Sequence, residues 1–351
     1  MAASFSMVGW NPFKRAYDIA LGAGLTLFLA LHVGAGLMAA PAGQHPSEIQ
    51  LMMRATGAAA FSLLTVILCL GPLARLTPRA LPLVYNRRHM GVVCFFAALV
   101  HGALVLLWYH GFSEVNAFIS LLTSNPRYDS FGGFPFEALG LAALLILFVM
   151  AATSHDFWNA VLGPRLWKAV HMSVYAAYGL LVAHIMLGAA MGSGGAAPAA
   201  RAGGSALLVS GLHILAGRRT AARDAGVAPE TEGWLDAGMA EAIPDGRAVI
   251  LMPPQGERIA VFREGAKVYA VANACRHQGG PLGEGRILDG CIVCPWHGFQ
   301  YRPEDGCSPP PYTEKIPTYR TRIVEGRVWV EPAPQLPGTA LSPSLIGEPA
   351  A

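Results

Sequence analysis

Two pairs of metal-binding side chains stand close together near the end of the chain. Cys275 and His277 are separated by one residue, and after sixteen further residues Cys294 and His297 are separated by two. Two thiolates and two imidazoles are ligands for iron or zinc. On an iron–sulfur cluster, neutral imidazoles lessen the negative charge, so the cluster accepts an electron more readily, and they link its potential to pH. The spacing therefore predicts a metal site for electron transfer.

The residues around these ligands resemble the Rieske [2Fe-2S] family over about residues 234–332. The two segments read Cys-Arg-His-Gln-Gly-Gly-Pro-Leu from Cys275 and Cys-Pro-Trp-His-Gly-Phe from Cys294. The resemblance implies that these two cysteines hold one iron. It implies that His277 and His297 hold the other. A zinc site with two Cys and two His is the alternative, although zinc fingers space their ligands differently.

Two missing cysteines narrow the subclass. Rieske proteins of respiratory quinol oxidases carry an additional disulfide beside the cluster, and the corresponding positions here are Gly280 and Trp296. The domain therefore resembles the ferredoxin type of Rieske domain, which has fewer features that raise the reduction potential of the cluster. We expect Cys291 and Cys307 to be free thiols, because disulfides are rare in the cytoplasm. No His follows His297 in this sequence, so the second iron site of a ring-hydroxylating oxygenase is not expected.

A second set of candidate ligands lies in the apolar first part of the chain. His171 and His184 are thirteen residues apart in one apolar run, which is about 20 Å along a helix. Polar rings inside a bilayer are costly and mark function, and facing His pairs in helix bundles bind haem. The separation predicts two haem sites at different depths. On a regular helix the rings point roughly 140° apart, so tilt or rotamer must correct their direction.

The residues around these histidines resemble the ferric reductase-like transmembrane family over roughly residues 50–190. The segments that carry the resemblance are Arg87-Arg88-His89-Met90-Gly91 with His101, and Leu162-Gly163 with Trp167, His171, Tyr175 and His184. In that family two parallel helices share b-type haems. The resemblance implies that His101 pairs with His184 on an outer haem and that His171 holds an inner one. Its partner stays open: His89 is the candidate, and a solvated His89 with no inner haem is the alternative.

The other histidines before the Rieske segment are expected to be structural. His32 and His213 are interpreted as satisfied polar groups, His110 and His155 as residues at helix ends, and His45 as a loop residue. No Gly-x-Gly-x-x-Gly loop follows a predicted strand, so the nicotinamide and flavin domains of ferric reductases are not expected. The Rieske segment follows the apolar part of the chain at the position where ferric reductases carry those two domains.

The composition indicates a membrane protein. Of 351 residues, 53% are hydrophobic and 13% are charged, against about 25% charged in soluble proteins. Six apolar runs predict helices that cross a bilayer, at residues 16–40, 55–74, 90–109, 134–153, 168–190 and, shorter, 203–217. Eleven Lys and Arg on one side against three on the other predict that both chain ends lie in the cytoplasm. A cleaved signal peptide around Ala40 is the alternative for the first run.

The second part of the chain has a different pattern. A polar linker is predicted over 221–233, and short apolar runs separated by Gly, Pro and Asp then predict a small all-β domain over 234–332. The runs are 248–251, 259–262, 268–272, 287–288, 291–293, 321–324 and 328–330. Residues 333–351, rich in Pro, Ser and Ala, predict a flexible tail. The fold class is therefore multi-domain: a polytopic α-helical bundle over 1–220, then an all-β domain.

These features predict a membrane electron-transfer protein of the oxidoreductase type. Electrons would pass between a cytoplasmic [2Fe-2S] cluster and one or two b-type haems, towards an acceptor at the outer face of the inner membrane. A soluble ferredoxin or flavin reductase is the expected donor. Transfer in the reverse direction from a quinol, and a redox-sensing membrane protein without turnover, are the alternatives. No nucleic acid partner is expected, since the basic residues flank apolar runs.

Overall fold

The chain folds into a helical unit followed by a β unit. The computed structural model describes residues 12–39, 47–84, 86–112, 114–124, 127, 134–191, 196–224, 230–231, 233–277, 279–295, 298–310 and 312–347. Described residues up to Ala216 form one compact unit, and those from Gly217 onward form a second. The first is helical and the second is dominated by strands. This order confirms the predicted fold class.

Six apolar helices account for the six predicted spans. The described helices are α1 (Pro12–Met38), α2 (Glu48–Leu76), α3 (Leu81–Val84), α4 (Arg87–Val105), α5 (Ala117–Thr123), α6 (Phe136–Ala152), α7 (Asp156–Met172), α8 (Val174–Met191) and α9 (Ala197–Asp224). A π-helical segment, Leu106–His110, continues α4. Five spans are long and apolar enough to cross a membrane: Lys14–Met38, Glu48–Leu76, Arg87–His110, Leu166–Ala189 and Ala197–Arg219. The sixth, α6, is apolar but shorter, with 17 residues.

The helical core is built from two packed pairs. Helix α2 packs most extensively against α4, and α6 against α8, while α4 also contacts α6. Their buried side chains include Phe61, Phe95, Leu147 and Tyr178. Leu145, on the other side of α6, is exposed, as expected for a helix that faces lipid. Helices α4 and α8, which carry the predicted haem ligands His101 and His184, therefore both pack against α6.

The predicted fifth span is interrupted at Ser173, where α7 ends and α8 begins. The N–H of Ser173 donates to the carbonyl of Val170 (3.2 Å), and its hydroxyl donates to the same carbonyl (2.6 Å). Such hydroxyl bonds compete with the helical hydrogen bonds and often bend helices. The predicted span over 168–190 is confirmed as the apolar span Leu166–Ala189, and its helix is interrupted at this one residue. The angle expected between His171 and His184 on a regular helix does not apply.

The second unit consists of short antiparallel strands. They are β1 (Glu230–Thr231), β2 (Trp234–Met239), β3 (Ala248–Leu251), β4 (Ile259–Glu264), β5 (Lys267–Ala272), β6 (Arg286–Leu288), β7 (Cys291–Val293), β8 (Gln300–Tyr301), β9 (Thr318–Tyr319), β10 (Thr321–Val324), β11 (Arg327–Val330) and β12 (Ser344–Leu345). In the described residues they form three sheets, ordered β1-β2-β11-β10, β12-β5-β4-β3 with β9 beside β5, and β6-β7-β8. All seven predicted runs form strands.

Strand β4 belongs to both hydrophobic cores of this unit. Ile259 and Val261 pack into one core, whereas Ala260 and Phe262 pack into the other. Successive side chains of a strand point to opposite faces, so a strand buried on both faces has a continuous apolar sequence. The second core contains Cys275 and Cys294 with the three-stranded sheet. The candidate cluster ligands are thus held by the packed interior of the domain.

Two predicted boundaries need correction. Helix α9 continues to Asp224, into the predicted linker 221–233, because its Ala-rich sequence favours helix. The predicted flexible tail over 333–351 is wrong for the described residues to 347: Ser344 and Leu345 form β12 along β5, and Ile346 packs on the core. Pro and Ser tolerate an extended edge segment whose backbone pairs with a neighbouring strand, and composition alone does not reveal that pairing.

We predict that a chain ending at Ala340 has a less stable β domain. It lacks the backbone bonds from Leu341 to Glu304 and from Ile346 to Ala266, as well as β12. The temperature at which the cluster signal is lost should fall by about 5–10 °C, because about 1–2 kcal/mol is removed. A chain ending at Gly347 keeps these contacts and is the control. Equal thermal loss of the signal in both chains would contradict the pairing.

Candidate functional site

The two loops that carry the cluster motif share one hydrogen-bond pattern. The N–H of Cys275 donates to the carbonyl of Gly280, five residues on (2.9 Å), and the N–H of Gly279 donates back to the carbonyl of Cys275 (2.6 Å). The loop of Cys294 repeats both bonds at the same spacing, at 2.8 Å and, from Gly298, 2.9 Å. Gly279 and Gly298 have φ values of 75° and 71°, which favour glycine. The two loops therefore present their cysteines in equivalent ways.

The two cysteines are adjacent and buried, with exposed fractions of 3% for Cys275 and 1% for Cys294. The pKa of the Cys275 thiol is lowered to about 6, chiefly by its hydrogen bond with Cys294, against the opposing effect of burial; Tyr301 and His277 lower it further. A lowered pKa favours the thiolate, which is the form that binds metal. The donor set fits an iron–sulfur cluster at these sulfurs.

Tyr301 supports the first cysteine from β8. Its hydroxyl lies 3.4 Å from Cys275 Sγ and accepts the N–H of Arg276 at 3.0 Å. Burial raises the pKa of Tyr301 above its ordinary range, and the charge of Cys275 raises it further. The hydroxyl therefore stays protonated and donates to the sulfur. Such bonds stabilise the more negative, reduced form of a cluster.

The imidazole ligands are only partly described. The His277 ring is 6% exposed and stacks on Phe299, with ring centres 5.2 Å apart and planes 8° from parallel. His297 and the neighbouring Trp296 lie outside the described residues. Cys275 and Cys294 thus lie in one core, and the His277 ring stacks on Phe299 of the same core.

In the helical unit, His101 of α4 and His184 of α8 face each other. Their ring centres are 6.4 Å apart, and the ring planes cross at 80°. The Nδ1 of His101 is 2.9 Å from the carbonyl oxygen of Met53, and the Nδ1 of His184 is 2.8 Å from that of Phe136. Because a carbonyl only accepts hydrogen bonds, Nδ1 carries the proton in both rings. In both rings Nε2 is then the nitrogen with a lone pair for a metal.

This geometry fits a metal bound between the two rings. Nitrogen–metal distances of about 2 Å place the centres of two imidazoles on opposite sides of one metal roughly 6 Å apart. The 6.4 Å between the centres of His101 and His184 is close to that value. Metal-binding histidines commonly donate their other N–H to a backbone carbonyl, which fixes the ring. The pair therefore offers two imidazole Nε2 atoms and a spacing close to that of two imidazoles on one iron.

His171, the residue predicted to hold an inner haem, lies near the end of α7. Its Nδ1 lies 3.0 Å from the carbonyl oxygen of Trp167, and its ring stacks on the Trp167 indole with centres 3.8 Å apart. The indole N–H donates to the carbonyl of Thr153 (2.8 Å), and the Arg88 guanidinium lies 5.7 Å from the ring centre. The Nε2 of His171 is buried and has no hydrogen-bond partner among the described residues. It is a second candidate nitrogen for haem.

His89, the candidate partner of His171, contacts α1. Its Nδ1 lies 2.8 Å from both carboxylate oxygens of Asp18 and 3.1 Å from the Asn86 side-chain amide. A carboxylate on Nδ1 is a common support for a metal-binding imidazole. The described contacts place Arg88 over Trp167, beside His171, and hold the His89 ring at Asp18. The inner pairing of His89 with His171 remains a prediction.

The remaining histidines have other partners. His213 is bonded at both nitrogens, to the Val209 carbonyl (2.9 Å) and the Tyr175 hydroxyl (3.0 Å), as expected for a satisfied polar group. His32 stacks on Phe28, with ring centres 5.9 Å apart. His110 ends the π-helical segment and is buried, with Nδ1 2.9 Å from Ser120 Oγ. His155 is exposed, and His45 lies outside the described residues.

Sequence reasoning did not single out Tyr301 or Asp18, and it named Trp167 only among the residues that carry the family resemblance. Tyr301 follows the second cluster segment closely in sequence, and no metal-ligand pattern includes it. Asp18 is an acidic residue inside the first apolar run, which is itself a sign of function in a membrane helix. The stacking role of Trp167 depends on the ring geometry at the end of α7.

Two protein families match separate parts of the chain. Residues 56–182 match the ferric reductase like transmembrane component, and residues 233–320 match the Rieske [2Fe-2S] domain. The first range contains His89, His101 and His171, and the second contains the four predicted cluster ligands. The chain therefore contains a ferric reductase-like transmembrane domain followed by a Rieske [2Fe-2S] domain. The two matches support a membrane electron-transfer role.

Individual relatives match one domain or the other. The protein-methionine-sulfoxide reductase heme-binding subunit MsrQ of Azospira oryzae is 30% identical over 162 residues, 46% of this chain and 64% of that protein. Cholesterol 7-desaturase nvd of Xenopus laevis is 48% identical over 68 residues, 18% of this chain and 15% of that protein. The solved Sphingomonas yanoikuyae B1 ferredoxin is 25% identical, with a TM-score of 0.27, over 28% of this chain and 99% of that chain. The chain covers less than two thirds of the length of these curated relatives.

We predict that Tyr301→Phe lowers the potential of the Rieske cluster. The change removes the hydroxyl beside Cys275 Sγ and leaves the ring in place. Loss of about 0.5–1.5 kcal/mol of stabilisation of the reduced form corresponds to a shift of about 20–60 mV in a redox titration followed by EPR. Tyr269→Phe, at a buried tyrosine of β5 whose charged neighbours are Glu304 and Glu264, is the control. An unchanged potential in Tyr301→Phe would exclude the hydrogen bond.

Proposed function

We propose that this protein carries electrons between its Rieske [2Fe-2S] cluster and b-type haem held in the membrane by His101 and His184. The observation that carries the proposal is the facing pair of imidazoles, 6.4 Å apart, with both Nδ1 atoms bonded to carbonyls. When bound, haem iron supplies a centre that gains and loses single electrons. The chain contributes two rings fixed in direction, with Nε2 as the ligand atom in each.

A second haem at the inner depth is part of this proposal. His171 offers a buried Nε2 and a ring fixed between the Trp167 carbonyl and indole. His89, supported by Asp18, is the proposed partner. Arg88, close to Trp167, carries a positive charge that suits the propionate groups of a haem. Two haems at two depths would divide the width of the bilayer into short electron-transfer steps.

The proposed direction is from the cytoplasm to the outer face of the inner membrane. The bias of Lys and Arg towards one side supports a cytoplasmic Rieske domain. Cys275, His277, Cys294 and His297 are the proposed cluster ligands, and a soluble ferredoxin or flavin reductase is the proposed donor. The similarity to a heme-binding subunit of a protein-methionine-sulfoxide reductase supports a partner protein as the acceptor, which we place at the outer face. Quinone is the alternative partner, with electrons flowing the other way.

We predict that His184→Ala and His101→Ala each remove the same haem. Either change deletes one of two facing ligands, so the reduced b-haem absorption of the purified protein should fall by the same amount in both variants and in the double variant. His213→Ala is the matched control, because both ring nitrogens of His213 are already bonded. The proposed haem site is wrong if His184→Ala keeps the full haem absorption.

We also predict that electrons accumulate on the Rieske cluster in His101→Ala, because the haem that would take them from the cluster is lost. In inverted membrane vesicles, whose cytoplasmic face is exposed, a soluble ferredoxin reductase with NADH should reduce the wild-type cluster and then the haem. In the variant the cluster should be reduced and should stay reduced when an acceptor is supplied inside the vesicles. Reduction of the cluster only in right-side-out vesicles would reverse the orientation. Cluster reduction without turnover in the wild type would favour the redox sensor.

A further inference from the structure

Gly57 of α2 lies directly against the ring of His101. A Cβ at this position would lie 2.8 Å from Nδ1 of His101 and 2.9 Å from Cε1, closer than side-chain atoms pack. The same ring bonds to the carbonyl oxygen of Met53, four residues before the glycine. The ring therefore sits over one turn of α2, in the space that a side chain at position 57 would fill.

The same arrangement recurs on α6. A Cβ at Gly140 would lie 2.9 Å from both Nδ1 and Cε1 of His184. This ring bonds to the carbonyl oxygen of Phe136, again four residues before the glycine. Two rings on different helices are thus held by the same pair of features, a carbonyl at one position and a glycine four residues later. We call each such pair, Met53 with Gly57 and Phe136 with Gly140, an imidazole seat.

The spacing of four follows from helix geometry. In an α-helix the carbonyl of a residue accepts the N–H of the residue four positions later, so that residue lies beside the carbonyl oxygen. The oxygen retains a second lone pair, which can accept another donor. With glycine at the later position, no Cβ blocks that lone pair from the side. An imidazole N–H from a neighbouring helix can then reach it.

We propose that Gly57 and Gly140 are positioning residues for the haem-binding imidazoles of His101 and His184. Each glycine leaves space beside a backbone carbonyl, so that the imidazole can donate its Nδ1–H to that carbonyl. This hydrogen bond fixes the direction of Nε2 and the 80° angle between the ring planes. This inference rests on the proposed function, in which these two rings bind haem. Neither glycine touches iron; each acts through the histidine that it accommodates.

The test compares Gly57→Ala and Gly140→Ala with Gly71→Ala in the purified full chain. Position 71 lies on α2 with no atom within 4 Å of its Cβ site, so it reports the effect of alanine on the helix alone. Alanine is the better helix former and favours the helix equally at all three positions. Rieske EPR intensity per protein reports folding in every sample. The readouts are the haem midpoint potential, the low-spin haem EPR signal and the haem content.

The two seat variants, Gly57→Ala and Gly140→Ala, should each have a higher haem midpoint potential than Gly71→Ala. The methyl group pushes the ring away from the carbonyl, which weakens the Nδ1–H bond and makes the imidazole a weaker donor to ferric iron. The EPR signal should change as well. Nearly perpendicular rings leave two iron d orbitals close in energy and give a highly anisotropic signal, so a rotated ring should lower the largest g value. Part of the haem should be lost on purification.

Unchanged potential and EPR signal in both seat variants, with Gly71→Ala unchanged too, would overturn this proposal alone. Retention of haem in His184→Ala would instead overturn the haem site on which it rests. If the seat variants do not accumulate, pulsed EPR of the wild type gives the quadrupole coupling of the remote imidazole nitrogens. Values of hydrogen-bonded N–H groups support the seats, and values of unbonded groups overturn them.

Discussion

A neutral imidazole inside a membrane domain carries one N–H that must find an acceptor within the protein. In His101 and His184 that acceptor is a backbone carbonyl of a neighbouring helix, and in His171 it is a carbonyl of its own helix. Each bond fixes the tautomer and the direction of the ring in one step, because the carbonyl can only accept. The chemistry proposed for the membrane domain depends on this assignment of the proton to Nδ1.

The two domains solve the same problem with backbone groups. In the helical unit, carbonyls fix the imidazoles of His101, His184 and His171. In the β unit, the paired bonds of the Cys275 and Cys294 loops direct thiolate ligands, and Tyr301 adds a side-chain donor. Backbone groups held in secondary structure or tight turns are more rigid than side chains. Side chains held by such groups move little when the charge of a bound metal changes, and this favours fast electron transfer.

The sequence predicted the fold class and the order of the two domains because both patterns are strong. Long apolar runs have few interpretations, and the Cys-x-His and Cys-x-x-His pairs have a restrictive spacing. The pairing of His101 with His184 was predicted only from the resemblance to the ferric reductase-like transmembrane family. The glycines at 57 and 140 could not be singled out, because an isolated glycine in an apolar helix has no distinct pattern. Only the distance from a neighbouring helix reveals its purpose.

Three local features escaped prediction because they depend on contacts distant in sequence or on a single hydroxyl. Strand β12 forms by pairing with β5, 76 residues earlier at Ser344 and Val268. Asp18 meets His89 from another helix. Ser173 interrupts an apolar run through a bond from its own side chain, which the hydropathy of the run does not reveal.

The interruption at Ser173 separates the helix that carries His171 from the helix that carries His184. A continuous helix would couple the two rings rigidly, so that any rotation of one ligand would displace the other. With a break between them, the direction of the His171 ring depends on its contacts with Trp167, whereas the directions of the His101 and His184 rings depend on α2 and α6. A substitution at Trp167 therefore need not alter the facing of His101 and His184.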